Sequence, residues 1–208
     1  MRVPPSTFTG PSVPAPSDEL DDRSPVQRLV GVPIDVEAGT QWSHDLVEQA
    51  IEECMADAGF SYVAVPFDAG VDPNEDQLAK LSASDARRYS QTLWGSDPSR
   101  PAGCERAAAD RVYPANILQN EWEAMERQIA EDPTVRSAVD RASTCVTSEG
   151  FEPGAAPFEV QESCASSVGL EDAIYVVREE FEVQFIASHS QYFEAFLEDL
   201  GQLKAEVD

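Results

Sequence analysis

Between Ser43 and Ala58 the apolar residues Leu46, Val47, Ala50, Ile51, Cys54, Met55 and Ala58 recur at spacings of three and four. That rhythm places them on one stripe of a helix. Ser43 is the expected N-cap, with Asp45 in the first turn. Gly59 is placed to end the helix, because glycine takes the left-handed conformation without a Cβ penalty. Phe60 then folds back on the last turn. The same ending returns at Cys145–Phe151, so the chain carries two Cys-x4-Gly-Phe units. Each is followed by one more cysteine, Cys104 after the first and Cys164 after the second.

Further helices follow from the same pattern. Ser82–Asp85 resembles a capping box and opens a helix to Trp94. Cys104–Val112 is helical until Pro114 removes a donor. A stripe of Ile117, Leu118, Trp122, Met125 and Ile129 marks a helix from Asn116 to Ala130. Asp132-Pro133 is a cap with a first-turn proline, and opens the helix that carries Val135, Val139, Ala142 and Val146. The chain is helical again from Phe158. Leu170 to about Ala205 reads as one long helix, roughly 50 Å if unbroken. Its apolar face makes it the spine on which the cysteine-bearing helices pack. Ser24 to Gly39 is mixed: Val26, Leu29, Val30, Val32 and Ile34 give a short helix and then an extended piece. Ser61–Pro66 is an extended apolar run with no obvious partner strand. The fold class expected is all-α: five or six helices, one short extended element and two disulfides.

Residues 1–23, with Pro4, Pro5, Pro11, Pro14 and Pro16, are expected to be a disordered Pro/Ser-rich tether, too poor in apolar area to offset ordering entropy. Residues 24–208 are expected to form a single acidic helical domain. It is built on two cysteine-containing units, at about 43–113 and 133–206. A chain of 208 residues is long enough for a real core.

The formal charge of −25 opposes binding to nucleic-acid phosphates and anionic lipid. It suits a basic protein partner, weakly bound cations or simply a solvated surface. No run is long enough to span a bilayer. Cys54, Cys104, Cys145 and Cys164 are widely spaced, with only His44 and His189 beside them. Zinc sites use close Cys or His pairs, so disulfides are the better reading and no metal is expected. Disulfides imply an oxidising compartment. No charged and then apolar export segment follows Met1. The expectation is therefore an extracytoplasmic protein whose leader is missing from this start, with a cytoplasmic protein holding free thiols as the alternative. Four cysteines allow three pairings. The repeated unit favours Cys54–Cys104 with Cys145–Cys164; Cys54–Cys145 with Cys104–Cys164 is the rival.

The ensemble is familiar: Cys54-Met55-x3-Gly59-Phe60-x-Tyr62, then Leu81-Ser82-x-Ser84-Asp85-Ala86-x2-Tyr89-x3-Leu93-Trp94-Gly95, then Gly103-Cys104, Cys145-x4-Gly150-Phe151, and Cys164-x4-Gly169-Leu170 into a long helix. From Val26 onward it resembles a group of uncharacterised actinobacterial secreted proteins, many of them lipoproteins. The resemblance implies a location and a use for the cysteines, and no activity.

The sequence carries few marks of catalytic chemistry. There is no Gly-x-Ser-x-Gly elbow, His-Glu-x-x-His or phosphate-cradling loop. His44 stands beside Asp45 with no nucleophile at a readable spacing, and His189 sits between Phe185 and Tyr192. Glu52–Glu53, Glu179–Glu180 and Glu198–Asp199 are adjacent pairs, whose side chains diverge on a helix. Asp72–Asp76 imitates the start of a calcium loop, but Gln77 and Ala83 stand where glycine and glutamate belong. Trp42, Trp94 and Trp122 are read as core. No catalytic or cofactor residue is assigned. Three readings stay open: a non-enzymatic extracytoplasmic binding or structural protein, a cytosolic acidic decoy for a basic nucleic-acid-binding protein, and a carboxylate-based enzyme.

Overall fold

The computed structural model describes residues 11–17, 21–95 and 103–207. The described residues hold eleven helices and no strand: α1 (Pro25–Val30), α2 (Val36–Asp57), α3 (Glu75–Leu78), α4 (Ala83–Trp94), α5 (Cys104–Val112), α6 (Pro114–Ile117), α7 (Gln119–Glu131), α8 (Pro133–Ser148), α9 (Phe158–Ser167), α10 (Leu170–Ser188) and α11 (Ser190–Val207). The all-α class holds, and the count exceeds the five or six expected. Three of the helices, α1, α3 and α6, are only four to six residues long. The expected long C-terminal helix is also divided, at His189. There the backbone leaves helical geometry (φ −115°, ψ 28°). The imidazole Nδ1 lies 2.9 Å from the Phe185 carbonyl and 3.0 Å from the Ser188 hydroxyl, competing locally with the helical ladder.

The chain makes two compact units, each from discontinuous stretches. One joins residues up to Leu29 with Gln119–Ser190; the other joins Val30–Leu118 with Gln191–Asp208. We call them the Cys145 unit and the Cys54 unit. The expected segment 133–206 is thus split: α10 stays with Cys145, and α11, from Gln191 on, belongs with Cys54.

In the Cys54 unit, α2 starts earlier than its apolar stripe. Asp35 is the N-cap, accepting from the Ala38 N–H at 2.9 Å. Ser43, the expected cap, lies inside the helix and donates back to the Gly39 carbonyl. Leu46, Ala50, Ile51 and Met55 of α2 are buried, as are Tyr89 and Leu93 of α4, and Cys104, Ala108 and Val112 of α5. From α11 of the same unit, Phe193, Phe196, Leu200 and Leu203 are buried as well. Gly103 opens α5 where a Cβ would lie 2.6 Å from the Leu93 carbonyl oxygen, so only glycine fits this approach to the end of α4.

In the Cys145 unit, Asp132 caps α8 by accepting from the Thr134 N–H at 2.7 Å, with Pro133 in the first turn. Met125 and Ile129 of α7, Val135, Ala138 and Val146 of α8, Cys164 of α9, and Val177, Phe185 and Ile186 of α10 are buried.

The two Cys-x4-Gly-Phe units end their helices identically. Gly59 (φ +82°) donates to the Ala56 carbonyl and Phe60 to that of Met55; Gly150 (φ +88°) donates to Thr147 and Phe151 to Val146. Both are six-to-one plus five-to-two closures that satisfy carbonyls otherwise left without donors. The repeated sequence is therefore a helix-ending device with a cysteine one turn upstream.

Candidate functional site

The structure joins Cys54 to Cys104 and Cys145 to Cys164, with Cα separations of 5.5 and 5.6 Å. This is the pairing favoured by the repeated unit. Each bridge lies inside one compact unit. Among the described residues no cysteine is free.

The other residues singled out in the sequence have structural partners. His44 Nε2 lies 2.8 Å from the Val65 carbonyl oxygen, and its ring meets Phe67 edge-on at 5.5 Å. Glu48, one turn further along α2, accepts from both the Tyr62 hydroxyl and the Val65 N–H. Burial and the nearby Glu48 charge push the Tyr62 phenol well above its ordinary value. Asp72 Oδ1 accepts from the Asn74 N–H and side-chain amide. Asn74 is itself buried and bonds the Val63 N–H and carbonyl at 2.8 and 2.9 Å. The calcium-like loop is thus committed to holding the extended Ser61–Pro66 run, whose missing strand partner is a pair of side chains. Among the described residues no group of three or more His, Cys, Asp or Glu is placed to hold a metal ion.

Glu53 and Asp199, from two of the adjacent acid pairs, do converge, but on Arg111. Its guanidinium reaches Glu53 at 2.6 Å and Asp199 at 3.0 and 3.1 Å. The hydrogen bond with Asp199, foremost, and that with Glu53 push Arg111 further above its already high value. A carboxylate pair bridged by arginine is an ion-pair network, not an acid and base facing a substrate. Trp42 lies beneath the Lys204 ammonium at 4.9 Å, and Trp122 meets Phe185 edge-on. Trp94, expected in the core, is 62% exposed at the end of α4.

The most developed site was not foreseen. It lies in the Cys145 unit, where the proline-rich segment was expected to be a free tether. Residues 1–10 and 18–20 of that segment lie outside the described residues, but the rest is held. Asp21 is buried; it accepts from the Arg23 guanidinium twice at 2.8 Å and from the Ser17 N–H at 2.9 Å. The Arg23 side chain, with the Ser17 N–H, holds the Asp21 carboxyl well below the usual carboxylate range. The Tyr175 hydroxyl of α10 donates to the Asp21 carbonyl at 3.2 Å.

Helix α1 follows, opened by a capping box in which Ser24 and Gln27 exchange backbone-to-side-chain bonds. Two buried charges on α1 and α10 fix it. Glu182 accepts from the Val26 N–H, and Arg178 from the same helix reaches Glu182 and, bidentately, Glu126 of α7. Arg28, with 1% of its side chain exposed, spends three nitrogens on three acceptors: the Pro14 carbonyl at 2.9 Å, the Arg23 carbonyl at 2.6 Å and Glu179 Oε1 at 2.6 Å. Pro11–Pro16 therefore lies along a groove walled by Arg28, Glu179, Val183, Ile186 and Ala187, around a cavity of about 360 Å³. The signals for this site were present. Ser24-Pro25-x-Gln27 is a capping box, and Glu182 interrupts an apolar stripe with Arg178 one turn before it.

Comparisons with protein-family models, with curated proteins and with solved structures found no match to this chain.

Proposed function

We propose that this protein is a non-enzymatic, extracytoplasmic protein of the cell envelope that binds a basic protein partner. The observation that carries the reading is the pairing of all four cysteines, one bridge in each unit, since such pairs persist in oxidising compartments. The charge supports the partner class. With 39 acidic against 14 basic side chains, the acids left over after every Arg and Lys is paired form a field that attracts cations and basic surfaces. The ion pairs of Arg28, Arg111 and Arg178 serve the fold, which leaves the surplus for solvent and partners.

The test is a thiol count on protein isolated without reductant from its native source, followed by pull-down of envelope proteins at low and physiological salt. No free thiol, with a basic protein retained in a salt-sensitive manner, is the expected result. Four free thiols would remove the compartment. Capture of basic DNA-binding proteins by that reduced form would favour the decoy instead.

A further inference from the structure

We infer that the α1–α10 groove of the Cys145 unit is a recognition site for an extended, proline-containing peptide carrying a basic side chain, and that Pro11–Pro16 of this chain is its intramolecular competitor. The inference rests on the binding-protein reading for the class of function, and on the groove alone for the site.

Extended proline-rich segments have no internal hydrogen bonds, so their carbonyls are free to accept, and their fixed φ lowers the ordering cost. That is how the segment is read here. Arg28 Nε takes the Pro14 carbonyl, a backbone group that any such peptide offers. The segment's side chains add little. Pro11 and Val13 are half-buried, whereas Ser12, Pro14, Ala15, Pro16 and Ser17 are exposed. The contact thus consists of one charge-assisted bond and two alternating apolar side chains, over a cavity that the segment does not fill.

Two features say what would fill it better. Arg28 is buried, and its Nε depends on the segment for an acceptor, so the groove favours an occupant with a carbonyl at this point. Glu179, a wall of the cavity, gives Oε1 to Arg28, while its Oε2 is buried and lacks a hydrogen-bond partner among the described residues. A lysine or arginine on the incoming peptide supplies donors that the protein's own Ser12 and Ala15 do not reach with. The net acidity of the chain attracts the same peptide.

The test uses the full chain with the two inward residues changed, Pro11→Asp and Val13→Asp, which leaves Ser17–Arg23 and the fold beyond them untouched. The probes are two fluorescein-tagged synthetic peptides, one copying Pro11–Ser17 and one the same with Ala15→Lys. Binding is followed by anisotropy at physiological salt. The doubly substituted chain is expected to bind both peptides at least tenfold more tightly than the unaltered chain, and the lysine peptide at least fivefold more tightly than the copy. Adding Glu179→Gln abolishes the preference for lysine, so that the two peptides then bind equally. A chain beginning at Ser17 serves as the second variant and gives the same order. Equal binding by altered and unaltered chains, or a lysine preference that survives Glu179→Gln, overturns the inference. Neither result depends on the thiol count, so the site and the compartment fail separately.

Discussion

The carboxylate of Glu182 accepts a hydrogen bond from the backbone N–H of Val26 at 3.1 Å, across 156 positions of sequence. Glu182 has no exposed surface. The Val26 N–H lies in the first turn of α1, where no intrahelical acceptor exists. A side chain from α10 thus completes the start of α1, and Arg178 balances its charge from one turn away.

Removing that carboxylate is expected to be costly. Glu182→Ala leaves Arg178 and the Val26 N–H short of a partner, at about 3–5 kcal/mol, the usual cost of breaking a buried pair from one side. Glu182→Gln keeps an oxygen for Val26 and gives up the charge, and is expected to lose roughly half as much. Urea denaturation followed by circular dichroism and tryptophan fluorescence measures both.

The proline-rich segment gives a second, graded expectation. Deleting residues 1–16 removes one acceptor from Arg28, and is expected to cost about 1–2 kcal/mol. Deleting residues 1–23 also removes the Arg23 carbonyl and the Asp21 cluster, leaving the buried Arg28 with Glu179 alone. That deletion is expected to cost several kcal/mol more, as about 3–5 kcal/mol follows when a buried charge loses partners. Equal melting of the two truncated chains would contradict the role given to Asp21 and Arg23.

Local rules were legible in the sequence, and long-range polar contacts were not. Helix ends at Gly59 and Gly150 and caps at Ser82 and Asp132 are properties of four to six consecutive residues, so the chain announces them. The disulfide pairing was legible because a repeat supplied an internal comparison. Glu182 to Val26 and Arg28 to Glu179 join residues 156 and 151 positions apart, and local signals such as Glu182 interrupting an apolar stripe do not name the partner. Asn74 and Val63, 11 positions apart, share no regular element that would pair them. The break at His189 was hidden by an apolar stripe that continues on both sides of it. The composition of Pro11–Pro16 implies a segment unable to bury area. It is held instead by the Pro14 carbonyl, a backbone acceptor that composition does not reveal.

Asn74 offers a test of the side-chain substitute for a strand. Asn74→Ala removes the donor and the acceptor that serve the Val63 backbone, an expected loss of about 1–3 kcal/mol. Asn74→Asp keeps the acceptor but sets a carboxylate against the Val63 carbonyl and Asp72, and is expected to be the worse variant at neutral pH. Below the carboxylate range the aspartate regains a donor, and the two variants should then reverse order in chemical denaturation.

The two disulfides should differ in worth. Cys54–Cys104 spans 50 positions and Cys145–Cys164 spans 19. The chain-entropy account gives about 4 and about 3 kcal/mol respectively. Paired serine substitutions, compared through their urea midpoints and slopes, are expected to show the larger loss for the Cys54 bridge.

Alkaline pH tests the Cys54 unit. Tyr192 of α11 is half-buried, donates to the Pro114 carbonyl at 3.3 Å and lies against Phe193 and Phe196. Burial, with the Asp110 charge adding, pushes its phenol up to about 12. In the unfolded chain it titrates near 10. Between those values the folded chain keeps a proton that the unfolded chain has released, so stability falls as pH rises. The contribution is fully present below about pH 10 and lost as pH passes about 12, and amounts to roughly 1–2 kcal/mol once partial exposure is allowed for. Tyr62 and Tyr89 are shifted in the same direction and add to the decline from the same starting point. Tyr192→Phe isolates one share: its urea midpoint is expected to fall less steeply between pH 9 and 11.5 than that of the unaltered chain. Ultraviolet titration at 295 nm should show one fewer late-titrating phenol in the variant. Parallel pH curves for the two chains would show that Tyr192 is open to solvent and that its bond to Pro114 does not persist in solution.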